Sequence, residues 1–256
     1  MIEARDVHVR LGRAEALRGV SMTAHPGEVT AIVGPNGSGK TTLLRCLTGE
    51  LPHEGTVTLD DRPIVGWNPA ALAARRAVLP QATPLAFPFT VIEVVRLGLT
   101  SGPEAADRSI AHRALARVGL QGYEGRFFQE LSGGEQQRAQ IARVLTQVWS
   151  PVWEGRPRWL LLDEPVAALD ITHQLQVIAL AQDYAKAGGG VIAVMHDLNL
   201  TAIMAAHVVL IANGQVAAAG PPNEVLTDDP LSRAYGCYVR TRVAPDGPFI
   251  LPQASV

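Results

Sequence analysis

The chain has 256 residues, 47% of them hydrophobic, enough to bury one large core or a core with a subdomain. Its 22 basic and 24 acidic residues leave a net charge of −2, and no basic run exceeds Arg75-Arg76, so the charge pattern of a nucleic-acid binder is missing. Cys46 and Cys237 stand far apart without metal-ligand spacing, the opening MIEARDVHVRLG has no apolar secretory stretch, and no run approaches the ~18 apolar residues of a membrane span.

These bounds predict a soluble chain in a reducing cytosol, reaching any membrane through a partner. In chain order, Val7-His8-Val9 alternates as a strand does, and Ala16 to Thr23 gives a second candidate. Pro26-Gly27 turns the chain into the apolar strand Val29 to Val33. After a Gly-rich loop, TTLLRCLTG predicts a helix with Leu43, Leu44 and Leu47 inward and Gly49 near its end. Gly55 to Leu59 alternates again, and RRAVLPQ, Arg75 to Gln81, ends a short strand at Pro80.

From about Phe89 to Thr146 the texture is helical. VIEVVRLGL, RSIAHRALARVGL and EQQRAQIARVLTQVW all carry apolar residues at three- and four-residue spacing. Trp159 to Leu162 then reads as a strand buried on both faces of a parallel sheet. A helix over 171–186, a strand from Gly190 to Met195 and a helix over 198–206 follow. Asn213-Gly214 between the apolar runs 207–212 and 215–219 signals a hairpin, and the tail from Pro245 reads as an irregular arm. Strands and helices alternating around an inserted helical block predict an α/β parallel-sheet nucleotide domain carrying a helical subdomain.

The loop Gly34-Pro35-Asn36-Gly37-Ser38-Gly39-Lys40-Thr41, with Thr42 behind it, is a phosphate cradle. Its backbone N–H groups and the dipole of the following helix favour phosphate oxygens, and Gly34, Gly37 and Gly39 let the backbone wrap closely. Lys40 should reach the β- and γ-phosphates, and the Thr41 hydroxyl should hold Mg²⁺. A plain glycine turn before a helix would look similar, but not with a full match set between strand and helix.

In LLLDEP, Asp163 ends a buried strand and suits Mg²⁺ binding; Glu164, one residue on, suits polarisation of an attacking water. Gln81 and His196 also close strands of the expected sheet, where ligands of such sheets bind. Both are expected as γ-phosphate sensors, Gln81 on Mg²⁺ or water and His196 on a γ-oxygen and the Glu164 carboxylate. In LSGGEQQR, Ser132 is a good N-cap with Glu135 at the capping-box position. Capping leaves Gly133 and Gly134 unexplained; a second anion site explains them better, and two half-sites suggest two chains meeting head-to-tail.

These residues, in this order and with Ala168-Leu169-Asp170, resemble the ATPase subunits of ABC transporters over nearly the whole chain. The resemblance implies a P-loop NTPase (RecA-like) core with an N-terminal antiparallel β subdomain over 1–85 and 158–256, and a helical subdomain over 86–157. It implies a head-to-tail homodimer closed around two ATP molecules, each held by one phosphate loop and the partner copy's Ser132, Gly133 and Gly134. Asp170 would lie at that interface, and His196 would be the switch histidine.

Where the family places an aromatic on adenine, this chain offers Leu11. RRAVLPQ, LAFPFTVIEVVRLG, QVWSPVWEGRPRWLLLDEP, ALDITHQ, MHDLNL and YGCYVR with GPFILP are most similar to the iron-chelate and vitamin B12 uptake branch, above all haem-import ATPases. That resemblance implies transmembrane permease subunits, a substrate-binding protein, and a place on the cytoplasmic face of the membrane. Leu85 to Val95 is the expected permease groove. Uptake of siderophore or cobalamin is the near rival. A soluble ABC ATPase on nucleic acid or ribosomes is the distant one, disfavoured by the acidic balance.

Overall fold

Alternating polar and apolar residues make the first sixty positions a ribbon. In the computed structural model, which describes residues 1–81, 87–100, 104–244, 247, 248 and 250, β1 (Ile2–Leu11) and β2 (Ala14–Ala24) pair antiparallel. β1 is far longer than the Val7–Val9 core of its sequence signal, because register shifts near Asp6 let it keep an inward face along its length. β3 (Val29–Val33) is buried throughout and delivers the chain to helix α1 (Lys40–Leu47). β4 (Glu54–Leu59) pairs with β1, and β5 (Arg62–Pro63) closes a four-stranded sheet ordered β2-β1-β4-β5. The short helix α2 (Pro69–Ala73), capped by the Asn68 side chain, precedes β6 (Arg76–Leu79).

Three amphipathic helices follow: α3 (Val91–Leu99), α4 (Ser109–Arg117) and α5 (Gly133–Gln147). The helical texture expected from about Phe89 to Thr146 matches these helices, and the remainder of the 86–157 span, past Gln147, is not helical. Helix ends at Gln147, and β7 (Val152–Trp153) and β8 (Arg156–Pro157) form a hairpin turned by Glu154 and Gly155, both at positive φ. Pro151 and Pro157 lack the N–H groups a helix would need there. The chain then runs through β9 (Trp159–Asp163), α6 (Ile171–Lys186), β10 (Gly190–Val194), α7 (Leu198–Met204), β11 (His207–Ala212) and β12 (Gln215–Gly220), ending in α8 (Pro222–Val225) and α9 (Asp228–Tyr235).

The central six-stranded sheet has the order β12-β11-β3-β10-β9-β6, parallel except for the edge strand β12. Its strands β3, β9 and β10 are buried at every position for a reason visible in their alternation. Val29, Ala31 and Val33 of β3, with Leu160 and Leu162 of β9, face a core shared with α3, α4, α5, α6 and α7. Ile32, Leu161, Ile192 and Ile211 point the other way, into a core shared with α1 and the antiparallel sheet. Two cores sandwich one sheet, and all five parallel strands end on the same edge. Among the described residues no helix is long and apolar enough to cross a membrane.

Candidate functional site

The loop from Gly34 to Gly39 leaves β3 at that edge and turns into α1. Two of its glycines are dictated by the chain itself. A Cβ on Gly34 would sit 2.0 Å from the Ile211 carbonyl oxygen, and one on Gly39 2.7 Å from the Leu17 side chain. Gly37 meets nothing within 4 Å, so its side of the loop faces open space at a positive φ of 75°. Lys40 opens α1 almost fully buried, and its Nζ donates to the carbonyls of Gly34 and Pro35, each at 2.9 Å. Burial holds its ammonium below the ordinary lysine range, against the opposing pull of Glu164 and Asp163. A buried cation folded back on its own loop favours an anion brought beside it.

Parallel topology brings the remaining groups to the same place. Asp163 closes β9 and accepts a hydrogen bond from the Thr41 hydroxyl at 3.3 Å. Burial raises the Asp163 carboxyl, and the neighbouring Glu164 charge adds to that rise. Glu164 follows at φ 52°, a conformation costing a non-glycine residue roughly 1–3 kcal/mol and most often found at functional sites. Its Oε1 accepts from Gln81 Nε2 at 3.1 Å and from His196 Nε2 at 2.6 Å. Gln81, Glu164 and His196 come from beyond β6, β9 and β10, three strands of one sheet meeting at one carboxylate oxygen.

These side chains line an open cleft of about 700 Å³ with Asn36, Gly37, Thr42 and, at its far end, Leu11 and Ala16. Thr41 and Gln81 line the cleft and the Asp163 carboxylate lies against the Thr41 hydroxyl; hydroxyl, carboxylate and amide oxygens are the ligands that suit a hard divalent cation such as Mg²⁺. Ser38 is buried, and its hydroxyl has no hydrogen-bond partner.

Ser132, Gly133, Gly134 and Asp170 do not line this cleft. Ser132 caps α5 in a reciprocal box with Glu135, whose carboxylate accepts from the Ser132 N–H and hydroxyl at 2.8 Å each. The two glycines part company. A Cβ on Gly134 would lie 3.0 Å from the Ala168 carbonyl oxygen, so that glycine has a cause within the chain. Gly133 has none, since among the described residues nothing lies within 4 Å of a Cβ placed on it. Asp170 caps α6, accepting from the His173 N–H at 2.9 Å, and is exposed.

The apolar stretch expected as a groove is divided: Leu85 and Ala86 lie outside the described residues, Phe87 is exposed, and Val91, Val94 and Val95 belong to the core. Of the expected arm, Pro245, Asp246, Phe249 and 251–256 likewise lie outside them. One residue escaped the sequence reading. Gln137 Nε2 reaches the carbonyls of Glu164 and Pro165, 3.4 Å from each. Its helical spacing from Gly134, three residues, was the available signal.

Comparison with known proteins agrees with this geometry. A family model described as ABC transporter matches residues 17–167. The chain is 58% identical to the hemin import ATP-binding protein HmuV of a Jannaschia species, over 98% of this chain and 94% of that one. It is 57% identical to the protein of the same name from Roseobacter denitrificans, over 99% and 98%. A solved nucleotide-free ATP-binding cassette of an ABC transporter superposes with a TM-score of 0.78 at 25% identity, covering 92% of this chain and 98% of that one. A cassette solved as a dimer in a post-hydrolysis state, bound to ADP and phosphate, gives 0.74 at 25% identity, covering 87% and 99%.

Proposed function

This chain belongs to the ABC transporter ATPases, and from that premise we propose that it is the ATP-hydrolysing motor subunit of a haem importer. The observation that carries the reading is the single Glu164 oxygen gripped by Gln81 and His196 beside Lys40, Thr41 and Asp163. The relatives named for hemin import, matched over nearly their whole length, supply the cargo.

In this reading Lys40 leaves the Gly34 and Pro35 carbonyls for the β- and γ-phosphates of ATP, while the N–H groups of Gly37 to Thr42 cradle the rest. Thr41, Asp163 and Gln81 would hold Mg²⁺, which when bound would offset phosphate charge. Glu164 accepts a proton from the attacking water. Gln81 and His196 donate to that carboxylate and fix its direction, so catalysis is positioning plus charge stabilisation. Leu11 and Ala16 give the adenine an apolar wall.

The second half of each site comes from a partner copy. Ser132 and Gly133 lie outside the lining of their own cleft, and the open space at Gly133 leaves room for another molecule's γ-phosphate. Two copies arranged head-to-tail, seated on the cytoplasmic side of a permease fed by a substrate-binding protein, complete the importer.

Transport in vesicles carrying the chain with its permease, comparing haem with a ferric siderophore and cobalamin, tests the cargo. Haem uptake driven by ATP supports the reading. Exclusive uptake of either rival replaces the cargo but keeps the motor. A second test separates the two half-sites: Ser132→Arg should leave ATP binding by the monomer intact and block ATP-driven dimerisation. Loss of monomer binding would remove the shared-site arrangement.

A further inference from the structure

The catalytic carboxylate is held from two directions, and only one belongs to the sheet. Gln81 and His196 grip its tip, while the backbone of the same residue stands in a left-handed conformation at φ 52°. Such a backbone persists only where its surroundings over-determine it. On the sheet side the Glu164 N–H donates to the Val194 carbonyl at 3.1 Å. On the other side stands α5. Gly134 comes so close to the Ala168 carbonyl that a Cβ would lie 3.0 Å from it. One turn on, Gln137 shares its Nε2 between the Glu164 and Pro165 carbonyls. Positions three apart share one helix face, so the two contacts form a continuous seam between α5 and the loop 164–169.

We propose that Gln137 is a positioning residue: its carboxamide donor ties α5 to the Glu164 peptide and sets the direction of the catalytic carboxylate. The proposal rests on the assignment of Glu164 as the base. It gives the helical block a route to the chemistry within one copy. α5 begins at the Ser132–Gly134 face and is anchored at its far end by Gln147, whose Nε2 donates to the carbonyls of Ala73 and Arg76. A shift of α5 about that anchor moves Gln137, and with it the peptide that carries the base. ATP contact at one chain's Ser132 face is thereby felt at that chain's own Glu164.

The test uses the full-length protein and steady-state ATP hydrolysis with Mg²⁺. Gln137→Glu keeps the length and removes the donor; Gln137→Ala removes the side chain in a good helix former. Both should lower kcat ~10- to 100-fold, the penalty of a misplaced catalytic group, with KM for ATP held. Gln137→Arg, which restores an N–H donor, should recover most of the loss relative to Gln137→Ala. Wild-type kcat in both donor-less variants overturns the proposal, as does an equal loss in all three. Rise of KM with kcat unchanged overturns it too, since that marks a binding role. A thermal melt separates misfolding from misplacement: a variant with lowered Tm is scored by its rate per folded molecule.

Glu164→Gln, assayed alongside, separates this proposal from its premise. If Glu164→Gln turns over normally, the base assignment fails. If it is inactive while the Gln137 variants are normal, only the positioning role fails. In the Glu164→Gln background, Gln137→Ala should lower the residual rate no further, because both act through one carboxylate.

Discussion

Strands β6 and β9 carry a charged cluster at each end, and the two clusters obey opposite rules. At the N-terminal ends Arg158 is fully buried, and each of its side-chain nitrogens has a protein partner. Nε donates to the Ala74 carbonyl at 2.9 Å, one terminal nitrogen to both Glu104 oxygens at 2.8 and 3.0 Å, and the other to the Gln147 carbonyl at 2.6 Å. At the C-terminal ends the groups are crowded. Two side chains share one Glu164 oxygen, Lys40 turns back on its own loop, and burial pushes Asp163 against its charge. The first cluster ties Arg158 to the end of α2, to α5 and to Glu104. The second is arranged for something that is not protein. Burial alone does not separate structural from functional charge; what the partners are, and whether they crowd one carboxylate, does.

The sharpest way to break that contrast is at Glu164. Glu164→Gln keeps the hydrogen-bonding shape and removes the base, so ATP turnover should fall by about 10³-fold, within the range of general-base effects. ATP should still bind and hold two copies together, seen as a dimer by gel filtration with ATP. A turnover within tenfold of wild type would move the base elsewhere.

Arg158→Met should do the reverse, costing about 3–5 kcal/mol of stability by stranding Glu104, with kcat per folded molecule unchanged. Denaturant unfolding measures it. Glu104→Leu added to Arg158→Met should recover part of the loss, since a matched apolar pair avoids the stranded charge. Burial would raise Glu104, but the Ser150 and Arg158 hydrogen bonds outweigh it and hold the carboxyl below its ordinary range. Its stabilisation should therefore be complete above that range and disappear as pH falls through the lowered value.

Asp163→Asn sharpens the functional end, removing a charge that burial disfavours. Because the Asp163 carboxyl is raised in the folded protein, its ionisation destabilises the fold as pH rises through that value. Asp163→Asn should thus be more stable than wild type at neutral pH, read as a higher Tm, while losing hydrolysis. Below the ordinary carboxylate range the gain should vanish, since Asp163 is then already neutral. A variant less stable than wild type at pH 7 would place Asp163 with the cluster around Arg158.

The functional cluster was legible in the sequence because local motifs sit at strand ends, and parallel topology converts strand ends into one edge. Gln81, Glu164 and His196 lie far apart in the chain and meet for that reason alone. The structural cluster was not legible. Arg158 is one residue among the basic positions near Trp159, and no pattern marks it as buried, because its partners Ala74, Glu104 and Gln147 come from other parts of the chain. Gln137 was hidden differently, inside a motif whose Ser132, Gly133 and Gly134 pointed to a cap and an anion site instead. The two glycines of that motif looked equivalent, and only the placement of Ala168 separates Gly134, which the fold requires, from Gly133.

The smallest predicted effect tests the cleft's far end. Leu11 is exposed there beside Ala16, and the two line an apolar end of the cleft that the proposed reading gives to adenine. Leucine gives area but no ring quadrupole, whereas an aromatic stacked on a base adds about 1 kcal/mol beyond area. Leu11→Tyr should therefore tighten ATP binding roughly fivefold, read by titration calorimetry, with kcat unaffected because the change lies far from Glu164. ADP should gain by the same factor, since the added contact is to the base and not the phosphates. An unequal gain would mean that Leu11 senses the phosphate end, which would join the apolar wall to the charged cluster it borders.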